Sequence, residues 1–219
     1  MKTIFSATAA ACTALLALAG ASHAATVSVT VTDRDGKPVP DAVVVVVPSA
    51  PGTARNPLPT QVTINQQKMQ FIPAVSVIPV GARVTFLNND SWEHHTRGSA
   101  AGLAQFSSTG GFELRLEGKA EGQPAKWAEV TLGKAGAVLL GCHLHGSMRG
   151  HIYVSDSPWA MKTTPEGQAV FEDVPDGAAQ VRVWHADQLI DLPLRAVTAG
   201  AAPARVNMQL QVVPRRRRI

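Results

Sequence analysis

Short β-forming segments, separated by Gly, Pro and Asp, run through most of this 219-residue chain. Residues 27–31 (VSVTV) and 112–116 (FELRL) alternate between apolar and polar side chains, which is the pattern of a half-buried strand. Residues 43–47 are five consecutive valines, which favours a central strand buried on both faces. No segment carries a long apolar repeat of 3.6 residues with helix caps. The sequence therefore predicts an all-β fold, built as a sandwich or barrel of short strands.

The strand-like segments fall into three groups along the chain. Further short strands are predicted at residues 62–64, 69–72, 74–78, 84–87, 128–132, 137–140, 152–154, 169–171, 179–184 and 205–212. A Pro-rich stretch at 48–59 ends the first group, and the composition changes again near Pro158. The outer groups are small for independent cores. We therefore predict one discontinuous sandwich made of residues 25–59 and 157–214, with a second domain, residues 60–156, inserted into it.

The two ends of the chain predict export and a charged tail. Residues 1–24 combine Lys2, a short apolar stretch and the small-x-small motif Ser22-His23-Ala24, as in a cleavable signal peptide. The apolar stretch is shorter than the roughly 20 residues that span a bilayer, so we expect a periplasmic protein without a transmembrane segment. Residues 215–219 form a basic tail, to which the net charge of +4 is largely due. Since no basic face with interleaved aromatics remains, a nucleic-acid partner is not expected.

Cys142 begins a run of residues, 142–148, in which metal donors recur every third position. Cys142, His145 and Met148 supply a thiolate, an imidazole and a thioether, and two adjacent histidines, His94 and His95, lie upstream. One thiolate, two imidazoles and a weak thioether form the donor set of a mononuclear copper site for electron transfer. The sequence therefore predicts one copper ion as cofactor.

Export makes the single cysteine informative. Cys12 falls inside the predicted signal peptide, so Cys142 is the one cysteine expected in the exported chain. An oxidising compartment normally holds cysteines in pairs, and a lone thiol there requires an explanation. A copper thiolate provides one. A buried structural thiol and an intermolecular disulfide are the alternatives.

Two of the four donors have alternatives of their own. Neighbouring side chains of an extended segment point to opposite sides, so only one of the two adjacent histidines can face the metal, and the register favours His94. His95 would then hydrogen-bond the ligand loop or lie at the surface. Met148 is the predicted axial ligand, and a gap-filling core methionine is its alternative. His143 is predicted to face solvent, with a surface electron path or a second metal contact as the other interpretation.

Two motifs in this order resemble the cupredoxins, and within them the amicyanin and plastocyanin type. Residues 84–94 (VTFLNNDSWEH) match the pattern V-x-F/W-x-N-x-D ahead of that family's upstream ligand histidine. The pattern C-x-x-H-x-x-M-x-G, which begins at Cys142, matches its short ligand loop. The resemblance covers residues 61–154 and implies a Greek-key β-sandwich that holds one copper ion. The ligands it implies are His94, Cys142, His145 and Met148.

A wider resemblance extends over nearly all of the predicted mature chain. Exported bacterial proteins of the methylamine-utilisation or plastocyanin-like kind share the His-His pair, the Phe-Glu-Leu strand and the Leu-Gly-Cys segment. Residues 164–185 and 31–42 are similar to carboxypeptidase-regulatory-like, or transthyretin-like, β-sandwiches. The chain departs from the cupredoxin pattern at His95, where that family has Asn, and at His143 and Gly146-Ser147 of the loop.

These observations predict a function in electron transfer. We expect a periplasmic type 1 copper protein that exchanges single electrons with a redox partner protein, for example a c-type cytochrome or a dehydrogenase. Apart from the metal donors, the sequence supplies no catalytic base, nucleophile or substrate cavity, so an enzyme is not expected. Copper delivery is one alternative, which the extra histidines His95 and His143 favour. A structural interaction module with a metal-stabilised loop is the other.

Overall fold

The computed structural model describes residues 24–102 and 111–215, and the sixteen regular elements named within these ranges are all β-strands. The predicted all-β fold is confirmed. Over the same ranges, no helix has the length and apolar character needed to cross a membrane. The predicted signal peptide, residues 1–24, and the predicted basic tail, residues 215–219, lie almost entirely outside the described residues.

The first sandwich pairs strands from the two ends of the chain. One sheet has the order β13 (Gln168–Pro175), β1 (Ala24–Thr32), β16 (Ala204–Gln209). The other has the order β12 (Trp159–Lys162), β2 (Val43–Pro48), β14 (Gly177–Trp184), β15 (Arg195–Ala199). Buried apolar side chains from both sheets form one core between them. This pairing is compatible with the predicted discontinuous domain, whose boundaries remain a prediction.

The second sandwich is built from the middle of the chain. Its five-stranded sheet has the order β5 (Val75–Pro79), β11 (Arg149–Ser155), β10 (Gly136–Cys142), β7 (His94–Ala100), β8 (Phe112–Leu116). Its four-stranded sheet has the order β4 (Gln70–Ile72), β3 (Gln61–Gln67), β6 (Ala82–Asn88), β9 (Lys126–Leu132). A separate core lies between these sheets and includes Phe86, Ile152, Cys142 and Met148.

The valine strand β2 joins the two sandwiches. Val44 and Val46 point into the first core, whereas Val43 and Val45 belong to a third cluster with Val75 and neighbours from the second sandwich. The prediction of a central strand buried on both faces is therefore confirmed for residues 43–46, which are fully buried. Val47 is 37% exposed and lies beyond this contact. Alternate valines thus fill two different cores because successive side chains of a strand point to opposite faces.

Tyr153, the single tyrosine of the chain, lies in this third cluster. Its ring centroid is 5.7 Å from that of Trp184, and burial raises the pKa of its phenol above the ordinary value of 10.0. Because the folded pKa is the higher one, the stability due to the neutral phenol is complete below the unfolded pKa and is lost as pH rises through the folded pKa.

We therefore expect tyrosinate absorbance to appear with a midpoint above pH 10.0 in the folded protein and at a lower pH in urea. Tyr153→Phe removes the tyrosinate signal and serves as the control for absorbance changes caused by alkaline unfolding. Equal midpoints in buffer and in urea would show that the folded chain does not shield the phenol.

The candidate site lies where three strands of the five-stranded sheet end or begin. β7 and β10 are antiparallel neighbours, with Cys142 opposite Thr96. The last residue of β10 therefore lies beside the start of β7. The connection from β10 to β11, residues 143–148, crosses the same end of the sandwich. This topology brings His94 close to a loop that follows it by about fifty residues in the chain.

Candidate metal centre

Three of the four predicted ligands meet at this end of the second sandwich. Cys142 Sγ lies 3.7 Å from His94 Nδ1 and 3.5 Å from His145 Nδ1. The three donor atoms are all within 4.8 Å of one another. The two imidazole rings meet edge to face, with centroids 5.0 Å apart. Three side chains from a strand start, a strand end and a loop thus direct one donor atom each toward a common point.

The spacing of the donors fits a bound transition-metal ion. Metal–sulfur bonds near 2.3 Å and metal–nitrogen bonds near 2.0–2.1 Å, at tetrahedral to trigonal angles, separate the donor atoms by about 3.5–3.8 Å. Both sulfur–nitrogen distances lie in this range. The sulfur is therefore already at the separation from both nitrogens that a shared metal ion requires.

The site is closed on its inner side and open at one ligand. His94 is 0% exposed and Cys142 6%, whereas His145 is half-buried. Met148 is 1% exposed and lies in the same core cluster as Cys142. Its N–H donates to the His145 carbonyl at 2.9 Å, and its carbonyl accepts from the Cys142 N–H at 3.2 Å. These bonds close the loop on itself. The assignment of Met148 as axial ligand remains a prediction.

His95 and His143 lie outside this cluster of donors. His95 is on the opposite face of β7 from His94, with Nε2 3.2 Å from Glu113 Oε2. Its ring centroid is 5.6 Å from that of His143, which is exposed, and the His143 N–H donates to the His95 carbonyl at 2.9 Å. His95 therefore links β7, β8 and the ligand loop through its backbone and its ring.

Asp90 is a site residue to which the sequence analysis gave no role. Its Oδ2 lies 2.9 Å from His94 Nε2, on the side of the ring away from Cys142, and the carboxylate is 5% exposed. Burial by itself raises the pKa of this carboxyl. Hydrogen bonds from the Met69 N–H, the His94 ring and the Lys68 N–H outweigh burial, so the pKa lies below its ordinary value. An acidic residue four positions before the histidine was the available sequence signal.

The loop that carries Asp90 is held from two directions. Asn88 Nδ2 donates to the Trp92 carbonyl at 2.9 Å and to the Glu117 carbonyl at 3.0 Å. The Lys119 N–H donates to the Asp90 carbonyl at 2.7 Å. Gly118 lies so close to this loop that a Cβ there would overlap the Ser91 carbonyl oxygen. The connection between β8 and β9 thus fixes the backbone that carries Asp90 and leads to His94.

The comparisons with known proteins leave the family open. No model of a protein family matches the chain. A search of curated proteins found no match either.

Solved structures of copper proteins show limited similarity. A proline-to-glycine variant of amicyanin in its reduced Cu(I) form is 18% identical, with a TM-score of 0.35 over 51% of this chain and 98% of the amicyanin chain. An oxidised methionine-to-lysine variant of amicyanin is 17% identical, with a TM-score of 0.35 over 52% and 99%. A Cu-containing nitrite reductase from Thermus scotoductus SA-01 is 24% identical, with a TM-score of 0.33 over 50% of this chain and 25% of that one. These scores are too low to support a functional argument, so the site's own geometry must support one.

Proposed function

We propose that the protein binds a single copper ion and acts as a periplasmic electron carrier of the cupredoxin type. The ligands would be His94, Cys142, His145 and Met148. One observation carries the proposal: a buried, unpaired thiol has an imidazole Nδ1 on each side, at 3.7 and 3.5 Å. A thiolate between two imidazoles, with a thioether in the same core cluster, favours copper over the harder divalent ions.

The residues around the site are arranged to hold one geometry. Bound copper would supply a one-electron couple between Cu(II) and Cu(I). His94 is fixed by Asp90, Cys142 by its place at the end of β10, and His145 by the closed ligand loop. Little rearrangement between oxidation states keeps single-electron exchange fast, because the surrounding atoms need not move. The proposed role is that of a carrier rather than an enzyme.

His145 marks the proposed route by which electrons leave. It is the one partly exposed member of the three-residue donor cluster. Leu144 beside it is 47% exposed, so an apolar contact surface lies next to the ligand. A redox partner protein, such as a c-type cytochrome or a dehydrogenase, would approach here. This partner class remains a proposal.

Copper delivery is the second candidate function. The observation that favours it is the pair His95 and His143. Their ring centroids lie 5.6 Å apart, with His95 on β7 and His143 in the ligand loop. Imidazoles next to the buried site would assist the transfer of an ion to another protein. Tight Cu(I) binding without an intense visible absorption on adding Cu(II) would support delivery over electron transfer.

The test is reconstitution of the exported chain with Cu(II), followed by metal analysis and a visible spectrum. We expect one copper ion per chain and an intense thiolate-to-copper absorption, bleached by a mild reductant and restored by an oxidant. His94→Ala should abolish the absorption because it removes one of the two imidazole ligands. His95→Ala is the matched control, and it should retain both the colour and the stoichiometry. A colourless unaltered protein, or colour lost only in His95→Ala, would overturn the assignment.

A further inference from the structure

We propose that Asp90 is a positioning residue that fixes the orientation of His94, strengthens its bond to Cu(II) and lowers the reduction potential of the site. The inference rests on the proposed copper function. Its primary observation is the contact between a buried carboxylate and a buried imidazole at 2.9 Å, on the nitrogen opposite the one that faces Cys142.

The contact determines the tautomer of His94. An ionised carboxylate only accepts hydrogen bonds, so Nε2 must carry the proton that it donates to Asp90 Oδ2. In the neutral imidazole, Nδ1 is then the nitrogen without a proton, and it faces Cys142 Sγ. A carboxylate that accepts from the far nitrogen of a metal-bound histidine orients the ring and raises its basicity as a ligand. Asp90 thus prepares His94 to bind a cation.

Two backbone N–H groups from a separate segment of the chain hold the Asp90 carboxylate in place. Asp90 Oδ1 accepts from the Lys68 N–H at 2.6 Å, and Oδ2 accepts from the Met69 N–H at 3.1 Å. Lys68 and Met69 form the two-residue turn between β3 and β4, and both have positive φ values, 53° and 57°. Such a turn normally uses Asn and Gly, and most other residues, including Lys and Met, are strained there. The carboxylate satisfies both strained N–H groups, so one side chain ties the turn to His94.

The charge balance gives the direction of the effect on the potential. With copper bound, the Cys142 thiolate and the Asp90 carboxylate would together neutralise Cu(II), whereas the same two anions would leave the reduced site with one excess negative charge. In a poorly solvated interior this excess charge is unfavourable. Asp90 therefore stabilises the oxidised state relative to the reduced state.

The decisive variant is Asp90→Asn, measured for Cu(II) affinity, Cu(I) affinity and reduction potential. Loss of the hydrogen-bond partner of a metal-bound histidine typically weakens metal binding by about 10–100-fold. If Cu(II) binding falls by this factor and Cu(I) binding does not change, the potential rises by about 59–118 mV, since a tenfold change corresponds to about 59 mV for one electron. Glu113→Gln is the matched control, because Glu113 contacts the neighbouring His95 in the same way at an exposed position. It should leave the potential unchanged.

Relieving the strain in the turn between β3 and β4 distinguishes a positioning role of Asp90 from a purely structural one. Lys68→Asn combined with Met69→Gly places residues suited to positive φ in the turn. In this background, Asp90→Asn should regain much of any lost stability in urea unfolding but keep the raised potential. If the potential returns to that of the unaltered protein together with the stability, the positioning role is wrong.

A metal-free measurement distinguishes failure of this inference from failure of the copper proposal. Nitrogen NMR of the unaltered apoprotein should show His94 with its proton on Nε2, in slow exchange with water. If that signal is present but no copper binds, Asp90 positions His94 and the proposed function fails. If copper binds but the proton is on Nδ1, or Asp90→Asn leaves the potential unchanged, the inference fails. This measurement also decides the case should Asp90→Asn not fold.

Discussion

Replacing Cys142 with serine is expected to abolish the thiolate-to-copper absorption completely and to remove the stabilisation that copper gives the folded chain. Copper that binds only the folded state at a free concentration of 1,000 times Kd adds about 4 kcal/mol of stability. For a chain of this size that corresponds to a rise in Tm of roughly 8–16 °C. The serine variant lacks the thiolate, so its Tm should be the same with and without copper.

The internal control for this experiment is the difference in Tm of each protein with and without copper. Serine places a hydroxyl among buried side chains, which by itself lowers the stability of the metal-free protein by about 1–3 kcal/mol. Comparing each protein with and without copper cancels that effect, and Cys142→Ala provides a second variant without the hydroxyl. A copper-dependent rise in Tm that survives in both variants would show that the ion binds somewhere else.

Residues 157–214, produced alone, are expected to remain unfolded, although they contain five of the seven strands of the first sandwich. The missing strands are β1, which lies between β13 and β16, and β2, which lies between β12 and β14. Without them each sheet loses its central pairing, and the core loses the buried valines of both strands. Circular dichroism and the dispersion of amide NMR signals would measure the outcome.

A matched chain tests whether the missing strands are the cause. In it, residues 60–156 are replaced by a short Gly/Ser linker, and Val43 and Val45 are changed to threonine because they lose their cover from the second sandwich. We expect this chain to fold. We also expect residues 60–156 alone to fold and to bind copper. Cooperative unfolding of residues 157–214 by themselves would contradict the split domain.

The strands that the sequence predicted are those with β-branched or alternating side chains. Residues 112–116 coincide with β8, and residues 27–31 lie within β1. Three strands were not predicted: β7 (HHTRGSA), β12 (WAMK) and β15 (RAVTA). β7 contains His, Arg, Gly and Ser, which have little preference for strands, and it is held by antiparallel partners on both sides. Its conformation is imposed by tertiary pairing.

Part of the candidate site could likewise be predicted from the sequence, and part depended on the tertiary structure. The ligand loop could be predicted because Cys142, His145 and Met148 are close in sequence and their spacing alone suggests shared coordination. The hydrogen bond between Asp90 and His94 could not, because it depends on the path of the loop between β6 and β7 and on its anchor at Lys119. An acidic residue four positions before a histidine has many other uses in a loop.

The sequence by itself determined the all-β class, the lone thiol and the donor types available for a metal, because these depend on composition, alternation and local spacing. Only the tertiary structure decided which atoms meet. The pairing of β7 with β10 places His94 Nδ1 beside Cys142 Sγ, and the turn between β3 and β4 supplies the N–H groups that hold Asp90 against His94. Such contacts join residues that are distant in the chain. They follow from strand register and side-chain burial, which no local pattern of residues specifies.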